Sequence, residues 1–153
     1  SNPWRGGVFA AAGIERLQLR GDEREVVDLD WMVAAPAQGA IVVIGRKGNE
    51  EIKQQVAHLN HAPSQLATSI ERAFLFALEG GCSAPIGAHA RVEGQEVQFT
   101  GCLTALDGSQ EIRIERSDDY ARPELGILWA QELLNNGGRA IIEAIKANEH
   151  GSD

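Results

Sequence analysis

Two cysteines offer the most direct chemistry in this sequence. Cys82 follows Glu79-Gly80-Gly81 and precedes Ser83-Ala84-Pro85-Ile86-Gly87. A thiol on a glycine-flanked loop is accessible, and the glycines leave room for a bulky adduct. The commoner fate of a free cysteine is a small buried hydrophobe. A helix end just before Cys82 also disfavours a thiolate, because the helix dipole is negative there. Cys82 is therefore a poor hydrolase-type nucleophile, but it suits a sulfur that is alkylated once and stays so. Cys102 lies between Gly101 and Leu103 and reads as structural. His58 and His61 have metal-compatible helical spacing, but no third ligand is near them in sequence. They read as surface or helix-end histidines, and no metal site is expected. Arg16 follows Ala-Ala-Ala-Gly, Arg46 follows Ile41–Ile44, and Arg72 lies on the helix before Cys82. Strand ends are where α/β folds bind ligands, and arginine binds carboxylates in two-pronged fashion. Each arginine alone reads as ordinary surface charge.

The background suits a globular chain. Of 153 residues, 43% are hydrophobic and 24% charged, which excludes a disordered tail or a collagen-like repeat. No apolar stretch reaches the roughly 18 residues of a membrane span. The net charge of -8 argues against a nucleic-acid partner. Two cysteines suit a reducing compartment, and Gly7 to Ala12 is too short for the apolar part of a secretory signal. A cytoplasmic location is expected. The chain has no initiator Met and enters an apolar run by Val8, so it reads as part of a longer protein.

The elements that must position these residues follow from periodicity. Residues 7–12 are expected as a short buried strand, followed by a helical turn at Ile14–Leu17. Glu25 to Trp31 reads as extended, and Ala34 to Ala40 as a loop or crossover. Ile41–Ile44, apolar on both faces, reads as a central strand. Asn49 caps a helix carrying Ile52, Val56 and Leu59. Pro63 opens a second helix with Leu66, Ile70, Ala73, Phe74 and Ala77 inward, ended by Gly80-Gly81. Residues 88–93, 96–103 and 111–116 form an antiparallel meander with turns at Glu93-Gly94 and Asp107-Gly108. Pro123 starts a helix with Leu125, Leu128, Trp129 and Leu133 inward, and Gly137-Gly138 ends it. Ile141, Ile142 and Ile145 make a short last helix, with a disordered tail from Asn148. The fold class is α+β: a three-stranded antiparallel sheet packed on helices over residues 62–147, preceded by a partial remnant of a larger α/β body. The domains divide at 1–60 and 61–153.

The segment Glu79-Gly80-Gly81-Cys82-Ser83-Ala84-Pro85-Ile86-Gly87 closely resembles the cofactor-attachment loop of the porphobilinogen deaminase (hydroxymethylbilane synthase) family. Further pieces follow in family order. Phe9–Leu17 resembles a strand and turn of the family's second domain. Pro36-Ala37-Gln38-Gly39-Ala40 resembles the crossover back to the first domain, where the family usually has Gly at the position of Ala37. Leu59-Asn60-His61, Glu71-Arg72-Ala73, Asp107-Gly108-Ser109 and Glu132-Leu133-Leu134-Asn135-Asn136-Gly137 complete the series. The resemblance implies the C-terminal portion of a three-domain transferase of porphyrin biosynthesis. Such an enzyme joins four porphobilinogen molecules into hydroxymethylbilane with release of ammonia. It further implies a dipyrromethane cofactor held by thioether to Cys82, since a soft sulfur can attack an electrophilic methylene once and hold it. Arg16, Gln38, Gly39 and Gly81 would lie near that cofactor or its cleft, while Arg46 and Arg72 match less well-defined basic positions. The family's catalytic aspartate and most of its substrate-binding cations belong to the N-terminal half. No catalytic residue is thus assigned here, and the isolated chain is expected to be inactive, without cofactor, and prone to self-association. Its partners in the complete enzyme would be porphobilinogen and the growing polypyrrole.

Two other classes compete with this reading. One is a non-catalytic binding or scaffold module that keeps the fold. The other is a thiol enzyme pairing Cys82 with His89, which the spacing across a strand supports poorly.

Overall fold

Asn49 stops the preceding run because its side chain is bound to the helix that follows: Oδ1 accepts the Ile52 N–H at 3.1 Å. In a computed structural model of the chain, which describes residues 6–21, 25–29, 31–78 and 84–150, this cap opens helix α2, Glu50–Val56. A tighter turn, Ala57–Leu59, continues it. Helix α3, Ala62–Ala77, starts at the expected proline and closes at Leu78. Its N-cap is His61, whose Nδ1 lies 2.8 Å from Ser64 Oγ and accepts the Ser64 N–H.

Three strands follow: β1 (Ile86–Glu93), β2 (Glu96–Thr104) and β3 (Glu111–Asp118), in the order β1-β2-β3 and antiparallel throughout. Glu93 pairs with Glu96 across a two-residue loop. Gly94 supplies its positive φ of 63°, as a hairpin of this hand requires. The second turn is sealed by Asp107, whose carboxylate accepts the Ser109 N–H at 3.0 Å and the Ser109 hydroxyl at 2.7 Å. Helix α4, Glu124–Leu133, and helix α5, Arg139–His150, are joined through Leu134–Gly138. Gly137, at φ 111°, breaks the helical path between them. The last helix is longer than expected and includes Asn148.

Helices α3 and α4 bury one face of the sheet, and Ile141, Ile142 and Ile145 of α5 join the same core. Phe74 of α3, Phe99 of β2 and Trp129 of α4 form the centre. The Phe74 and Phe99 rings meet edge to face at 5.0 Å, and Phe99 stacks on Trp129 at 4.7 Å. Phe74 reaches the sheet because Gly101 has no side chain: a Cβ there would stand 2.6 Å from the ring. Gly126 does the same between helices, since a Cβ there would run into the backbone of α3 at Ile70 and Phe74. That close approach also corrects the expected inward face of α4. Small Gly126 and Ala130 are buried, while Leu128 is turned outward.

The chain divides into two compact units, Ser1–Trp31 and Met32–Asp153. In the first, the expected strand at 7–12 is absent. Ala11–Arg16 is a short helix, α1, and Val8 and Phe9 before it are each 73% exposed. An alanine-rich stretch without a strand partner falls to its local helical preference. The described part of 25–31 forms no regular element and joins no sheet, and Trp31 stands in a turn. In the second unit Ile41–Ile44 is likewise no strand, and Ile41 and Ile44 are 97% and 90% exposed. An apolar run becomes a central strand only when neighbours cover both its faces and edges.

A Gly126→Ala substitution should cost about 1–3 kcal/mol, because backbone atoms of α3 cannot step aside as a flexible side chain can. Urea unfolding checks this, and a loss below about 0.5 kcal/mol would overturn the packing argument. A second expectation concerns pH. Arg116 of β3 grips Glu132 of α4 through two bonds, Nε to Oε2 at 3.0 Å and Nη2 to Oε1. The bond from Arg116 holds the Glu132 carboxyl below its ordinary range. A carboxyl depressed in the folded state stabilises above its unfolded pKa, and that contribution is lost as pH falls through the folded value. Wild-type stability should therefore fall more steeply than that of Arg116→Ala as pH drops below the ordinary carboxylate range. Parallel acid limbs in the two proteins would contradict this.

Candidate functional site

The crossover segment folds into two successive tight turns. The Gln38 N–H bonds the Ala35 carbonyl at 3.0 Å, and the Ala40 N–H bonds the Ala37 carbonyl at 3.2 Å. The third residue of each turn has positive φ: Ala37 at 61° and Gly39 at 86°. Pro36 fits the second position of the first turn, where its ring fixes φ, and a type II turn then requires positive φ at the next residue. Glycine meets that demand freely, while alanine in this region costs roughly 1–2 kcal/mol. The Gln38 side chain closes the loop, its Oε1 accepting the Ala35 N–H at 3.2 Å.

What offsets the strain at Ala37 is a buried carboxylate. Glu71 of α3 is 5% exposed. Its Oε2 accepts the Ala37 N–H at 2.7 Å, and its Oε1 accepts the Ala90 N–H of β1 at 2.7 Å. Hydrogen bonds to a charged partner contribute about 1.5–3 kcal/mol each, enough to hold an unfavourable backbone angle. The exposed His89 ring completes the setting, with Nδ1 3.8 Å from Glu71 Oε1. β1 is an edge strand, and this arrangement covers its outer side. The Ala88 N–H bonds the Ala34 carbonyl at 3.0 Å, and the next outward amide, Ala90, meets Glu71.

Beside the double turn lies an open cleft of about 940 Å³. Its wall includes Gln38, Gly39, Lys53, His61, Glu71 and His89. Of the residues expected near a cofactor, Gln38 and Gly39 are therefore on the cleft. Arg16 stands in the last turn of α1, in the other unit. Arg46 and Arg72 are exposed and do not line the cleft. Gly80, Gly81 and Cys82 lie outside the described residues, and α3 ends before the expected glycines, at its cap Leu78. Cys102 is buried on β2 opposite Gly87, whose missing side chain leaves room for the Cys102 Sγ and for Val33. Burial pushes its thiol above the ordinary range, so it is an inert packing group. His61 is engaged at the α3 cap, and His58 lies in the Ala57–Leu59 turn.

In the sequence Glu71 stands only within the Glu71-Arg72-Ala73 piece, with no role attached, yet in the fold it is a buried charge on the cleft wall. A signal was present: residue 71 falls on the stripe of Ala67, Ile70, Phe74 and Leu78, so the helix aims a charge inward.

Two family profiles match the chain in order. "Porphobilinogen deaminase, dipyromethane cofactor binding domain" matches residues 1–54, and "Porphobilinogen deaminase, C-terminal domain" matches residues 65–135. The chain belongs to the porphobilinogen deaminase family. Curated relatives named porphobilinogen deaminase agree. That of Roseiflexus sp. (strain RS-1) is 38% identical over 88% of this chain and 45% of its own length. That of Desulforamulus reducens is 36% identical over 94% of this chain and 47% of its own, and that of Synechococcus sp. (strain RCC307) is 39% identical over 92% and 44%. The chain spans about half the length of the curated relatives it matches.

Replacing Ala37 by Gly should raise stability by about 0.5–1 kcal/mol, since relief of the left-handed strain outweighs the extra freedom glycine gains on unfolding. Thermal or urea unfolding checks it. A destabilised variant would show that the angle at Ala37 is not strained.

Proposed function

We propose that this chain is the C-terminal portion of a hydroxymethylbilane synthase. The complete enzyme is a cytoplasmic transferase that joins four porphobilinogen molecules and releases ammonia in tetrapyrrole and haem biosynthesis. The observation that carries the reading is the pair of family matches in chain order, the second of them spanning Cys82. On this reading residues 1–60 end the central domains, and 61–153 form the cofactor-attachment domain. Cys82 holds the dipyrromethane by thioether, with Gly81 giving it room and Arg16, Gln38 and Gly39 beside the cofactor or its cleft. The donor chemistry fits: a soft thiol is alkylated by an electrophilic methylene and does not release it readily. Gln38 and Gly39 on the cleft wall also support the fit. Arg46 and Arg72 do not line the cleft, in keeping with a cofactor bound jointly with the other half of the protein. When bound, the dipyrromethane supplies the pyrrole carbon on which polymerisation starts.

The isolated chain, on this reading, turns over nothing and keeps a free thiol at Cys82. The apolar Ile41–Ile44 run, open to solvent, favours its self-association. Intact mass tests the assignment. The complete wild-type protein should carry a dipyrromethane adduct, Cys82→Ser should lose it, and Cys102→Ser should keep it. A serine oxygen is far less nucleophilic than sulfur and largely protonated at neutral pH. An adduct lost with Cys102 and not with Cys82 would overturn the site. A complete wild-type protein without adduct would favour a non-catalytic module that keeps the fold.

A further inference from the structure

The double turn at Pro36–Gly39 is shaped by its own hydrogen bonds, but those bonds do not determine where it stands. Its place against the sheet rests on two ties. One is the Ala88 N–H to the Ala34 carbonyl, just before the turn. The other is Glu71, which holds Ala37, inside the turn, and Ala90, on β1, with the two oxygens of one carboxylate. A carboxylate is rigid and planar, so gripping both amides fixes the separation of the turn from the strand. The same grip anchors the residue immediately before Gln38, which faces the cleft with Gly39. Glu71 is the buried charged side chain among the described residues, and both its oxygens are occupied by backbone amides.

We propose that Glu71 is a positioning residue: its two-handed grip on the Ala37 and Ala90 amides sets where Gln38 and Gly39 stand on the cleft wall. Its importance for turnover rests on the function proposed above; the grip itself does not. Glutamine at position 71 can accept with one oxygen only, and its amide N–H groups would face a backbone N–H at the other arm. Aspartate keeps both oxygens but is one methylene shorter.

Amide hydrogen exchange of the full chain, read by NMR, tests the grip. In wild type the Ala37 and Ala90 amides should be protected, and an unprotected Ala37 amide overturns the proposal without any variant. In Glu71→Gln, exchange at one or both should rise at least tenfold while Gly101 and Leu103 of β2 are unchanged. Glu71→Asp should release at least one arm likewise. Ala37→Gly, which keeps its N–H, should leave both amides protected. Wild-type exchange at both positions in Glu71→Gln, or a uniform rise across the sheet, overturns the grip. In the complete enzyme, Glu71→Gln should lower kcat for porphobilinogen at least tenfold per adduct-bearing molecule, so that loss of folded protein does not enter the comparison. Wild-type kcat and KM in that variant would overturn the positioning role. An adduct-bearing wild-type enzyme inactive on porphobilinogen would instead overturn the proposed function and leave the exchange result standing.

Discussion

Helix α3 lies so close to its neighbours that two glycines are needed to admit it. Gly101 leaves a notch in β2 for the Phe74 ring, and Gly126 lets the backbone of α4 approach that of α3. With α3 seated at that depth, Ile70, Phe74 and Leu78 are fully excluded from water, and the Phe74–Phe99–Trp129 stack closes around them. The depth also decides the fate of Glu71. On a helix held further out, that side chain would reach solvent. On this one it is carried to the outer edge of β1, where backbone amides need acceptors.

That single charge links packing to the site. A buried carboxylate is costly unless its oxygens are satisfied, and here two amides satisfy them. One of those amides belongs to a residue in a left-handed conformation that alanine adopts reluctantly. The strain at Ala37 and the burial of Glu71 thus offset one another. Their joint product is a Pro36–Gly39 turn held firmly beside the cleft, while Cys102, buried on β2 opposite Gly87, takes no part.

The apolar runs outside this core behave differently. Val8 and Phe9, and again Ile41 to Ile44, have compositions suited to the interior of a sheet but stand exposed. In a chain spanning about half the length of its relatives, those residues have no strands to pair with among the described residues. Hydrophobic side chains alone do not make a strand, because the backbone groups also need a neighbour.

The sequence by itself determined whatever depends on neighbours close along the chain. The Asn49 cap, the proline-opened α3, the turns at Gly94 and Gly108, the break at Gly137 and the three strands between them are all set by backbone angles and short-range periodicity. The string from Glu79 to Gly87 was legible for the same reason: it is a local run of residues, and it resembles the family that the profile matches show. Tertiary structure decided the rest. Whether 7–12 and 41–44 become strands depends on partners remote in sequence. Whether Leu128 or Gly126 faces inward depends on how near α3 comes. That Glu71 reaches two amides, one 34 residues before it and one 19 after, follows only when the crossover, the helix and the sheet edge meet, since no local pattern encodes the distance between segments so far apart.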